Sequence, residues 1–135
     1  MKHAIALLLA LASQAHAQSD PASVAAGQDV YMVFRQTCHG ATAQGGGPLA
    51  EIMTREPPDL TRLALRNDGR FPTEAVARQI DGRDPLLGHG GEMPVFGPVF
   101  DTELAALATP AGQPMLTDRT IVDLIHWLQS IQEAE

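Results

Sequence analysis

Cys38 and His39 stand side by side, a thiol next to an imidazole, in the segment Tyr31-Met-Val-Phe-Arg-Gln-Thr-Cys-His-Gly40. A cysteine three positions before Cys38 would complete Cys-x-x-Cys-His. That spacing forms two thioether bonds to haem and supplies an axial histidine. Arg35 occupies the position instead. One thioether is then left to Cys38, and the rest of the chain must supply the context. Met93 is the residue to weigh against His39. Imidazole nitrogen and thioether sulfur together fill both axial positions of a haem iron, and methionine raises its potential. Taken alone, a methionine is more often core filler, and a lone histidine is more often a surface group. Met93-Pro94, however, sits in a glycine-rich apolar stretch downstream of a Cys-His pair.

Cys38 is the one cysteine of 135 residues, which rules out an internal disulfide. The first residues read as a secretory signal: Lys2 and His3, an apolar run from Ala4 to Ala12, then Ala15-His16-Ala17 as a small-residue cleavage site. The run is well short of the roughly 20 residues that span a bilayer. Residues 1–17 are thus expected to be a signal peptide. Residues 18–135, or 135 − 17 = 118, are expected to form one exported, periplasmic domain. A free thiol in an oxidising compartment is a liability, and a bond to a cofactor removes it. Aromatic residues make up 4 % of the chain, so a large apolar cofactor would fill a deficit in the core. The signal holds one base, Lys2, and no acid, so the exported domain carries 8 − 16 = −8. That charge argues against nucleic acid and anionic membranes as partners. It suits a partner with a basic docking surface, or plain solubility.

These residues need elements to hold them. Asp20 and Pro21 start a helix expected to run to about Thr37, with Val24, Gly27, Tyr31 and Phe34 on one face and Cys38-His39 at its end. Gly27 points to close approach of another helix. Gly40 to Pro58 reads as loop, with Gly45-Gly46-Gly47-Pro48 as a turn that lets backbone pass close to something flat. Short helices are expected from Pro57 to about Asn67 and from Thr73 to Asp81, the latter stopped by Gly82. Pro85 to Phe100 is apolar but too rich in proline and glycine for helix or strand. Thr117 is read as the cap of a last helix to about Gln132, whose apolar face includes Ile121, Leu124, Trp127 and Leu128. No strand alternation stands out, so the expected class is all-α.

In this order along the chain the pieces resemble a class I, single-haem cytochrome c of bacterial periplasmic type. The matching residues are Gly27-x-x-x-Tyr31, Cys38-His39-Gly40, Gly45-Gly-Gly-Pro48-Leu49, Pro57-Pro-Asp-Leu60 and Phe71-Pro72. Ile80-Asp-Gly-Arg83, Glu92-Met-Pro-Val-Phe-Gly97 and Leu124-x-x-Trp127-Leu128 complete the set. The resemblance implies a cytochrome c-like fold in which the first and last helices cross, with two short helices and long ordered loops around a haem. It implies His39 and Met93 as the axial ligands of the iron. It implies that the carbonyl of Pro48 accepts a hydrogen bond from the other nitrogen of His39. Leu49, Leu60, Leu63, Phe96 and Leu128 would line the haem pocket. The function implied is one-electron transfer to redox partner proteins, not enzymatic turnover.

Arg35 is the departure from that pattern. It leaves a haem c with a single thioether, at Cys38. The Arg35 stem is expected to lie along the porphyrin with its guanidinium in water. The same residue admits another reading: a degenerate cytochrome fold with non-covalent haem or none, serving as a structural subunit of a redox complex. A copper site from Cys38, His39, His89 and Met93 is a third reading, on the softness of its ligands. His126 is expected at the polar surface, and His89 at the surface or as an alternative ligand. Arg55, Arg62, Arg66 and Arg83 are expected to be solvated, with one of them placed to meet a haem propionate.

Overall fold

A computed structural model describes residues 19–83, 93, 96–100 and 103–134. The proposed signal peptide and His89 lie outside the described residues.

Helix α1 (Pro21–Phe34) begins where the sequence places it. The Asp20 carboxylate accepts from the Ala22 N–H at 3.1 Å, and Pro21 occupies the first turn, where its missing donor costs nothing. The expected continuation to Thr37 is interrupted. The chain bends at Arg35 (φ −122°, ψ −33°), and a separate turn, α2 (Gln36–His39), carries the Cys-His pair. The bend keeps its hydrogen bonds: Arg35 N–H donates to the Tyr31 carbonyl at 2.8 Å, and His39 N–H to the Arg35 carbonyl at 2.9 Å.

Helix α4 (Arg119–Ser130) lies against α1. Gly27 makes the close approach possible. A Cβ there would sit 2.5 Å from the Asp123 carbonyl carbon and 2.8 Å from the Trp127 Cβ. Tyr31 and Trp127 pack alongside as a tilted ring pair, 4.3 Å between centroids. Ile121, Leu124, Ile125 and Leu128 bury the inner face of α4. Each such side chain contributes roughly 1.5–3 kcal/mol by leaving water. His126 is not the free surface group expected: it is half-buried, and its Nδ1 meets the Ser23 hydroxyl at 2.7 Å while that hydroxyl donates to Asp123. Helix α3 (Thr73–Asp81) ends at Gly82 in the left-handed conformation and packs on α4 through Ala77 and Ile80.

The all-α expectation is overturned by an antiparallel hairpin. Strand β1 (Leu104–Leu107) pairs with β2 (Met115–Asp118), Ala105 opposite Thr117 and Leu107 opposite Met115. Ala105, Leu107 and Thr117 face inward, while Leu104 and Leu116 remain exposed. Thr117 is therefore a strand residue and not a helix cap. Its hydroxyl meets the Asp81 carboxylate at 3.2 Å, and Asp118 caps α4 by accepting from Thr120 N–H at 2.8 Å.

The expected helix over 57–67 is two 3-10 turns, Leu60–Arg62 and Leu65–Asn67. The Gln132 side chain fastens them to the end of α4, donating to the Leu60 carbonyl at 2.8 Å and accepting from Ala64 N–H at 2.9 Å. Among the described residues, no helix is long and apolar enough to cross a membrane.

Candidate functional site

The last carbonyls of a helix need partners from outside it. For α2 the glycine-rich loop supplies them: Leu49 N–H donates to Thr37 at 2.9 Å, Gly47 N–H to Cys38 at 3.1 Å and Gly45 N–H to His39 at 2.8 Å. Gly47 fits because a Cβ there would lie 2.5 Å from the Thr37 carbonyl oxygen. The flat thing this loop passes is thus the backbone of the Cys-His turn. Tyr31 adds a second tie by donating its phenol to the Gly40 carbonyl, and burial pushes that phenol up to about 12.

His39 is buried, and its Nδ1 lies 3.3 Å from the carbonyl of Pro58. This corrects the expectation that Pro48 supports the ring. Pro48 is exposed, and the supporting carbonyl comes from the second proline-rich segment. A carbonyl only accepts, so Nδ1 carries the proton and Nε2 keeps its lone pair. Burial, the largest influence, lowers the imidazole pKa, opposed by the Pro58 contact and aided by the charge of Arg35. Both effects leave a neutral ring with one nitrogen free to ligate.

Cys38, His39 and Met93 all line one cavity of about 700 Å³. Met93 comes from a segment far along the chain and packs against the core. Leu49, Leu60, Leu63, Phe96 and Leu128 line the same space, with Leu124 and Ile80 behind them. Arg55 and Glu56 are the charged groups on the exposed part of the wall. Of the arginines expected to be solvated, three have partners away from the cavity: Arg62 with Glu133 at 3.5 Å, Arg66 with the Asp59 carbonyl and Arg83 with Asp81.

Arg35 departs most from expectation. Its guanidinium is not in water: the residue is 4 % exposed and lines the cavity, with the guanidinium carbon 3.6 Å from the centre of the Phe96 ring. The aromatic face attracts the cation. Phe96 is in turn held by Phe100, 6.0 Å away and stacked, and by the edge of Phe34 at 6.0 Å. The Nε and Nη2 atoms of Arg35 are buried with no hydrogen-bond partner among the described residues. Burial lowers the guanidinium pKa to about 10, so it stays charged at neutral pH.

Among the described residues, no three or more His, Cys, Asp or Glu are grouped to hold a bare metal ion. Sequence reasoning missed the Pro58 support and the burial of Arg35. The Pro57-Pro58 pair was the available signal for the first. The place of Arg35 one turn past buried Tyr31 was the signal for the second, since it continues the inward stripe of α1. No family model, curated protein or solved structure matches this chain.

Proposed function

We propose that this protein is a periplasmic one-electron carrier of the c-type cytochrome kind, holding a single haem in the cavity at the end of α1. The observation that carries the reading is the convergence of Cys38, His39 and Met93 on one largely apolar cavity. The cavity volume lies within the 300–1,000 Å³ typical of cofactor sites, and its lining is chiefly aliphatic and aromatic. The donor set fits the group. His39 would hold the iron through Nε2, fixed in its tautomer by Pro58. Met93 would hold it through sulfur, and Cys38 would form the one thioether. When bound, haem supplies a reversible one-electron centre, and a methionine ligand favours its reduced form.

The chain's own part is positioning and exclusion. The glycine loop fixes α2, so the imidazole and thiol need little ordering when the cofactor enters. Leu60, Leu63 and Leu128 keep water from the ligands. His39 and Met93 would both be committed to the group and would leave no position for substrate, which suits a carrier and not an enzyme. The acidic surface suits a redox partner with a basic docking face.

A second reading rests on Arg35. A buried cation at the place of the first cysteine also suits a subunit that binds haem non-covalently, or not at all. Expression in cells with export and working cytochrome maturation separates the two. A coloured protein that keeps its haem through acid-acetone extraction supports the carrier. Haem fully extracted into acetone removes the thioether, and a colourless folded protein favours the structural subunit.

A further inference from the structure

A buried, charged guanidinium with two idle donors is expensive to maintain in an apolar wall. Phe96 offsets part of that cost but accepts no hydrogen bond of ordinary strength. Arg35 lies on the wall of the cavity, and its Nε and Nη2 atoms are closed off from water in this conformation, so a partner in the cavity is met by a turn of the guanidinium toward that space. We propose that Arg35 is an anion anchor: it binds, through Nε and Nη2, a carboxylate carried on the apolar body that occupies the cavity. Nε and Nη2 form one edge of the guanidinium fork, the geometry that takes a carboxylate through two parallel hydrogen bonds. The replacement of cysteine by arginine thus exchanges a covalent anchor for an ionic one at the same place on the chain.

The inference deepens the haem reading and in its first form rests on it: the carboxylate is a haem propionate. Cys38 lies one turn from Arg35. A vinyl and a propionate occupy neighbouring pyrroles of the porphyrin, so one haem offers groups to both residues. The same chemistry is met by a free long-chain fatty acid, and the experiment distinguishes the two sources.

The test uses the full chain made without cytochrome maturation, as wild type, Arg35→Met and Arg35→Lys, each checked for folding by circular dichroism. Haemin and its dimethyl ester are titrated by absorption. Cis-parinaric acid and its methyl ester are titrated by fluorescence. For at least one of the two bodies, the wild type should bind the acid about tenfold or more tighter than the ester, as expected of a charge-assisted hydrogen bond. Arg35→Met should erase that preference by weakening the acid alone, and Arg35→Lys should restore part of it. Equal binding of acid and ester by the wild type overturns the proposal. So does a preference that survives in Arg35→Met, or failure of both acids to bind. Haemin bound with neither acid preferred over its ester leaves the haem reading standing and the anchor refuted. Parinaric acid bound with preference while haemin does not bind gives the reverse.

Discussion

The two ends of α1 are built on opposite terms. Toward its N-terminus the helix is closed against α4: Gly27 lets the backbones touch, Tyr31 packs on Trp127, and Ser23 is bonded to both Asp123 and His126. Toward its C-terminus the chain bends and presents a thiol, an imidazole and a guanidinium to a cavity, with donors unmet. Satisfied contacts stabilise a fold, whereas unsatisfied ones at a rigid wall mark where a ligand is to be met. Tyr31 joins the two regimes, packed on one side and tied through Gly40 to the Cys-His turn on the other.

Substitutions at the two ends should therefore differ in size and in sign. The largest effect belongs to Gly27→Val, whose side chain meets the α4 backbone. We expect a loss of about 3 kcal/mol or more in urea unfolding, and a near-neutral result would break the crossing as described. Tyr31→Phe keeps the ring packing but removes one of the two donors to the Gly40 carbonyl, leaving Ala43 N–H at 3.2 Å, for a loss of about 1 kcal/mol by the same measurement. Arg35→Met should move the other way, stabilising the haem-free protein by about 1 kcal/mol or more, because it removes an unpaired buried charge. Destabilisation there would show that Arg35 has a partner in the free protein.

The smallest effect is a pH dependence at the closed end. Burial, the largest influence, lowers the His126 pKa from its ordinary 6.5; Asp123 and Asp20 oppose this, and Arg119 adds to it. The folded state then binds fewer protons than the unfolded chain just below pH 6.5, so stability rises with pH through that window and is lost on acidification. His39 acts in the same direction. Unfolding midpoints between pH 7 and 5 should fall less steeply in His126→Gln than in the wild type, and equal slopes would remove His126 from the account.

What the sequence made legible follows from strong local signals. Asp20-Pro21 opens α1, Thr73 to Gly82 brackets α3, and the repeating apolar residues of α4 mark its buried face, because caps and helical periodicity are properties of neighbouring residues. The hairpin was not legible. Leu104-Ala-Ala-Leu107 has no β-branched residue, and four residues are too few to show alternation. Thr117 resembled a cap because Asp118, the actual cap, follows it directly. At the site, Cys38, His39 and Met93 could be named from residue type and order. For the Pro58 carbonyl and the inward course of Arg35 the signals were Pro57-Pro58 and the one-turn step from Tyr31 to Arg35, and neither decides the contact alone, because both contacts depend on the bend at residue 35.

The proposed function turns on a haem joined to the chain through Cys38. Intact mass under denaturing conditions tests it most directly, on protein exported by cells with working cytochrome maturation. The expected masses are the exported chain plus one haem in the wild type, and the exported chain alone in Cys38→Ser. A wild-type mass without haem would contradict it.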